Sequence, residues 1–137
     1  MRKITNEIKM RLIANNDSPQ IARGTISTFL ESENPSVEEV GDIRCSINEA
    51  IANCVVHAYK QTTNKNFIYI SARIYDNGEF SIEISDNGCG FDTSIFARPR
   101  VEKGFGYVVM KNFMDSVSIK SKIGKGTTVL MRKRLRK

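Results

Sequence analysis

FIYISARIYDNGEFSIEISDNGCGF, residues 67–91, holds two runs of alternating apolar and polar residues on either side of Asn77-Gly78. Asn-Gly between two such runs is the strongest short hairpin signal. In the second run Phe80, Ile82 and Ile84 point one way, so the pair offers one apolar side and one polar side. That pattern belongs to an antiparallel sheet with a single covered face. The run ends in Asp86, and Gly88 and Gly90 follow. A plain hairpin needs only an Asn-Gly, so these further glycines behind a rim carboxylate need another reason.

The flanking sequence supplies the cover. Upstream, Ile8, Met10 and Leu12 alternate in a first strand. "NDSPQIARGTISTFLES" then opens a helix with Ser18 as N-cap and Pro19 at the first helical position. Its Ile21, Ile26, Phe29 and Leu30 suit one face, although Gly24 weakens it. "NPSVEEVGDIRCSINEAIANCVVHAY" repeats the device with Asn34 and Pro35. Its Val37, Val40, Ile43, Ile47, Ile51 and Val55 recur at spacings of three and four, which predicts a long amphipathic helix. Downstream come a loop, "DTSIFARPRVEK", and a helix through "YVVMKNFMDS" with Val108, Met110, Phe113 and Met114 apolar. A second hairpin, "SVSIKSK" and "TTVLMRKR" over "IGKG", follows. The order β-α-α-β-β-α-β-β predicts an α+β two-layer sandwich in one domain over residues 1–137. Its sheet is mixed, mostly antiparallel, with the helices on one face.

Composition narrows the class. With 40% hydrophobic and 26% charged residues, wholesale disorder is excluded. No run of 18 apolar residues exists, so no membrane span is expected. The charged start "MRKITNEIKM" lacks the apolar centre of a secretion signal. Cys45, Cys54 and Cys89 are scattered and form no CxxC pair, which points to reduced thiols in the cytoplasm rather than disulfides or zinc. Five of the positive charges behind the net +6 fall in the last six residues, "RKRLRK", read as a solvated basic tail. With no helix-turn-helix, zinc or RNA-binding pattern, DNA binding stays a minor option.

Four short patterns can carry chemistry. Glu49 and Asn53, four apart, stack on one helix face away from the apolar stripe, with His57 near it. The pair reads either as a solvated polar face or as a general base beside an oxygen ligand for a hard cation such as Mg²⁺. Asp86 sits at the sheet rim, where a carboxylate can accept from an exocyclic amine such as adenine's. Gly88 and Gly90 either form a turn or leave room for a flat ligand. Gly104 and Gly106 in "KGFGY" lead into a helix N-terminus, a natural anion site or a mere loop. "GKGTT" opens the last strand at Gly126 with Thr127 and Thr128 behind it, and alone it is a hairpin turn.

Taken in sequence, E-x-x-x-N on a helix, D-x-G-x-G after a strand, G-x-G before a helix and G-T-T before a last strand resemble the GHKL ATPase superfamily of gyrase B, histidine kinases and MutL. The resemblance covers nearly the whole chain. "NEAIANCVVHAY", "SDNGCGF", "GFGYVVMKNFMDSVSI" and "KGTT" look most like anti-sigma factor serine kinases of the sporulation anti-sigma F type. The resemblance implies the cofactors ATP and Mg²⁺, with Asn53 helping to hold the metal and Asp86 recognising the adenine amine. Gly88, Gly90 and Phe91 would shape the adenine slot, Gly104 and Gly106 would close a phosphate lid, and Thr128 would join the base end. Glu49 matches the general base, and Arg23 an arginine that contacts protein partners. The implied function is a cytoplasmic, homodimeric protein-serine kinase that binds a sigma factor and phosphorylates an anti-anti-sigma partner. The lid departs from the pattern: only 13 residues, "FDTSIFARPRVEK", separate Gly90 from Gly104, and Glu102 stands where the family has an arginine. A non-catalytic, nucleotide-gated module that sequesters a regulator is the alternative. A self-contained histidine kinase does not fit, because the only histidine, His57, lies on the nucleotide helix itself.

Overall fold

The computed structural model describes residues 2–58, 66–88 and 105–136. Strand β1 (Ile4–Ile13) leads into helix α1 (Ser18–Leu30), a short 3₁₀ turn (Glu31–Glu33) and helix α2 (Val37–Ala52). A π-helical turn (Asn53–Ala58) prolongs α2, and the hairpin of β2 (Phe67–Tyr75) and β3 (Glu79–Asp86) follows. Helix α3 (Phe105–Phe113) then precedes a second hairpin, β4 (Ser116–Lys122) and β5 (Gly126–Arg134). The element order and the α+β class are those read from the sequence. The sheet runs β1-β2-β3-β5-β4, and each neighbouring pair is antiparallel, so the expected parallel admixture is missing among the described strands.

Alternation places the core. Ile68, Ile70, Ala72 and Ile74 of β2 share a face with Phe80, Ile82 and Ile84 of β3 and with Val129 and Met131 of β5. Ala22, Ile26 and Leu30 of α1, Ile43, Ile47 and Ile51 of α2, and Met110 and Met114 close over that face to form one apolar cluster. The apolar stripes are narrower than the sequence suggested. On α1 the buried row is Ser18, Ala22, Ile26 and Leu30, and Ile21, about 100° off that row, is 48% exposed. Val37 at the start of α2 is 92% exposed, and Glu39 turns inward instead. Val108 and Phe113 likewise face outward from α3.

Both predicted helix caps shift. Asp17, not Ser18, precedes α1. The Ser18 hydroxyl instead donates to the carbonyl of Ile13 (2.9 Å) and accepts from the N–H of Asn15 (3.0 Å), pinning the end of β1 to the helix. Asn34 adopts the left-handed conformation (φ 47°) and closes the 3₁₀ turn, while Ser36 caps α2. Ser36 Oγ accepts the N–H of Glu39 (3.0 Å) and Glu39 Oε1 accepts the N–H of Ser36 (2.9 Å), a complete capping box.

The basic C-terminal stretch is no free tail. Residues 132–134 belong to β5, and Lys133 Nζ lies 3.4 Å from Asp42 and donates to the carbonyl of Phe113 (2.7 Å). Leu135 is buried, and the N–H of Arg136 donates to Glu39 Oε2 (2.7 Å). Side chains of the other sheet face lie away from the helices. There the charges interleave, with Arg73 paired to Glu7 across β1 and β2, around a shallow depression of about 530 Å³ lined by Lys9, Arg11, Tyr69, Glu83 and Ser85, among others.

Candidate functional site

The site grows from the point where α2 stops being regular. Ile43, Ile47 and Ile51 fasten one side of α2 to the sheet, so Glu49 and Asn53 face elsewhere. At Asn53 the helix widens into the π turn, and the Asn53 N–H is shared between the carbonyls of Glu49 and Ala50. Such widened turns inside helices recur at functional sites. Both side chains meet the start of α3. A Cβ added to Gly106 would lie 2.9 Å from Glu49 Oε2 and 3.8 Å from Asn53 Nδ2. The carboxylate and the amide therefore converge on one glycine and do not form a solvated polar face.

Asp86 makes the second half. It ends β3 on the helix side of the sheet and is only 6% exposed. A buried carboxylate must be satisfied, and this one is held from several directions. Its Oδ1 accepts the N–H of Gly88 (2.9 Å) and, more loosely, that of Thr127 (3.3 Å). Its Oδ2 accepts from the thiol of Cys54, with Sγ at 3.3 Å. Burial, then the Asp86 charge, then the hydrogen bond to Asp86 push the Cys54 thiol well above its ordinary pKa, so the sulfur stays protonated and donating. Gly126 lets the last strand come this close: its φ is +91°, and a Cβ there would stand 2.2 Å from the carbonyl oxygen of Asp86.

Strand alternation separates the two threonines of G-T-T. Thr127 lies opposite Asp86 in the ladder and shares its face, where its hydroxyl meets Ser121 Oγ at 2.7 Å. Thr128 lies opposite Ser85 on the open face, and their hydroxyls are 3.1 Å apart. The structure thus brings Thr127, and not the predicted Thr128, to Asp86. Cys54 and Thr127 are the site residues to which sequence reasoning gave no role; the ladder register was the missing information for Thr127, and the approach of the π turn to β3 for Cys54. Arg23 is not a free surface charge, since its guanidinium donates to Asn48 Oδ1 beside Glu49. The N–H of Gly88 donates to Asp86. Gly90, Phe91 and Gly104 lie outside the described residues, as do Arg98, Arg100, Glu102, Lys103 and the side chain of His57.

A carboxylate offers about four acceptor positions. Three are taken on Asp86 among the described residues, which leaves room for one more donor. Residues 14–133 match the model of the histidine kinase-like ATPase domain. The chain belongs to that family. The anti-sigma F factor of Clostridium acetobutylicum is 30% identical over 96% of this chain and 95% of its own length. Those of Clostridium perfringens strain SM101 and Geobacillus strain WCH70 are each 33% identical, over 95% and 96% of this chain and 97% and 94% of theirs. Among solved structures, the RsbU and RsbW domains of a Mycobacterium tuberculosis protein superpose with a TM-score of 0.73 at 19% identity, over 96% of this chain and 32% of that one. The histidine kinase domain of a blue-light-activated kinase from Erythrobacter litoralis gives 0.59 at 16%, over 72% and 46%. These two show a shared fold. A histidine kinase-like ATPase domain implies ATP binding, and the Asp86 acceptor and the Glu49–Asn53–Gly106 junction are the features here that suit it.

Proposed function

We propose that this chain is an ATP-dependent protein-serine kinase and anti-sigma factor, acting as a homodimer in the cytoplasm. It binds a sigma factor and phosphorylates a serine of an anti-anti-sigma partner. The observation that carries this reading is the seating of Gly106 against Glu49 and Asn53, in a chain 30–33% identical to several anti-sigma F factors. A glycine at the start of α3 lets this helix N-terminus, a natural anion site, lie close against the carboxylate and the amide, where a side chain would press on Glu49.

In this reading Asp86 accepts the adenine amine, and Gly88, Gly90 and Phe91 shape the slot. Asn53 holds Mg²⁺, a cation that takes one or two protein oxygens and keeps the rest for phosphate and water. Gly104 and Gly106 cover the phosphates, and Thr127 secures the base end through Asp86. Bound MgATP supplies the phosphoryl group, whose transfer asks chiefly for positioning and charge neutralisation. Glu49 takes the proton of the serine hydroxyl. Arg23, braced by Asn48, contacts the protein partner.

The second reading, a nucleotide-gated module without transfer, is favoured by the 13-residue span between Gly90 and Gly104. One experiment separates the two. The purified chain is incubated with γ-labelled ATP and a cognate anti-anti-sigma protein. The kinase reading expects label on a serine, and Glu49→Gln should bind MgATP normally while labelling at least about 100-fold more slowly. Nucleotide binding with no label transferred by the unsubstituted chain establishes the second reading instead.

A further inference from the structure

Asp86 is gripped by donors from three separate parts of the chain: Gly88 behind β3, Thr127 in β5 and Cys54 in the π turn after α2. Two of them are backbone groups and both fall on Oδ1. Cys54 supplies the only side-chain donor among the described residues, and the only one on Oδ2. The sulfur has one proton and two acceptors in reach, Asp86 Oδ2 at 3.3 Å and the carbonyl of Ala50 at 3.4 Å. The charged acceptor takes it, since hydrogen bonds to ionised oxygens are roughly twice as strong as neutral ones.

This division of labour has a consequence for recognition. The two backbone donors restrain rotation of the carboxylate about Cβ–Cγ through one oxygen only, one of them at 3.3 Å. A donor on the second oxygen stiffens that restraint and keeps the group in a pure acceptor role. We propose that Cys54 is a positioning residue for base recognition, its thiol holding Asp86 so that the remaining acceptor position on the carboxylate faces an exocyclic amine. The inference rests on the nucleotide-site reading and deepens it. Cys54 is also 3% exposed and packs in the apolar cluster, so a purely structural role is the competing account. The two accounts differ in what a donor is worth at constant volume.

The test measures binding of ATP, and of a purine-riboside triphosphate lacking the 6-amine, to the full chain by calorimetry. The variants are Cys54→Ala, Cys54→Val and Cys54→Ser, with Asp86→Ala as control. Removing the donor in Cys54→Ala or Cys54→Val should weaken ATP by about tenfold or more, the scale of a hydrogen bond to a charged group. The amine-less nucleotide should bind all three Cys54 variants and the unsubstituted chain alike. Cys54→Ser keeps a donor and should recover most of the ATP affinity. Equal ATP affinity in all Cys54 variants, while Asp86→Ala abolishes binding, overturns the role of Cys54 alone. That role is equally overturned if Ser does no better than Ala, or if both nucleotides weaken in step, because packing then explains the loss. If the unsubstituted chain binds no ATP, the nucleotide reading falls and this inference with it.

Discussion

A single methyl group distinguishes the two glycines that border the site. At Gly126 an added Cβ meets backbone, the Asp86 carbonyl at 2.2 Å, in a conformation with φ near +91°. Neither can yield, so Gly126→Ala should cost at least about 1–3 kcal/mol and weaken ATP binding in parallel, as Thr127 is pushed off Asp86. At Gly106 the nearest atom is the end of the Glu49 side chain, which can swing away. Alanine also favours a helix over glycine by up to about 1 kcal/mol. Gly106→Ala should therefore melt no earlier than the unsubstituted chain while phosphotransfer falls on the order of tenfold to a hundredfold through a displaced Glu49. A parallel loss of stability and transfer in both variants would sink the distinction. Asn53→Ala should weaken ATP binding more in Mg²⁺ than in EDTA. Equal losses in the two buffers would remove Asn53 as a metal ligand.

At the scale of an element, α2 is aimed by its first turn. Glu39 closes the capping box with Ser36 and also receives the N–H of Arg136 from beyond β5. Burial alone would raise its carboxyl pKa. The N–H groups of Arg136 and Ser36 and the nearby Lys133 charge outweigh that effect and hold it below the ordinary 4.5. A depressed carboxylate contributes stability above its unfolded value, and the contribution is lost as pH falls through the folded one. Glu39→Ala should lower stability by about 1–2 kcal/mol at pH 7. The gap in urea midpoint between the two chains should then narrow below about pH 4.5. A gap undiminished at pH 3 would show that the charge of Glu39 is not what holds the helix start.

At the scale of the whole molecule, both ends of the chain gather at the β2–β3 turn. The N–H of Lys3 donates to Asp76, Arg2 pairs with Glu79, and the N–H of Leu135 donates to the carbonyl of Gly78. Leu135 is 4% exposed, so Leu135→Ala should cost about 2–5 kcal/mol in a thermal or urea melt. A loss below about 0.5 kcal/mol would return the stretch to the status of a solvated tail. By the same reasoning, deleting residues 132–137 should unfold part of the sheet.

Local rules made the architecture legible. Asn77-Gly78 and the alternation around it identified the hairpin, and the spacing of Ile43, Ile47 and Ile51 identified the long helix, because period two and period 3.6 are written directly in the chain. Glu49 and Asn53 could be placed on one face for the same reason. What failed were decisions that depend on a neighbour distant in sequence. Thr127 and Thr128 are interchangeable in a motif, and only their pairing with Asp86 and Ser85 says which one enters the site. The basic terminal run looked free because Asp42 and Glu39, its partners, lie some ninety residues upstream. Ile21 and Val37 matched an apolar stripe, but the width of a buried face is set by what packs against it. The thiol of Cys54 acquires meaning only when the fold carries it to a carboxylate 32 positions away. Periodicity and turn chemistry are local properties that a sequence states outright, whereas register, close approach and the partners of buried charges are products of tertiary packing.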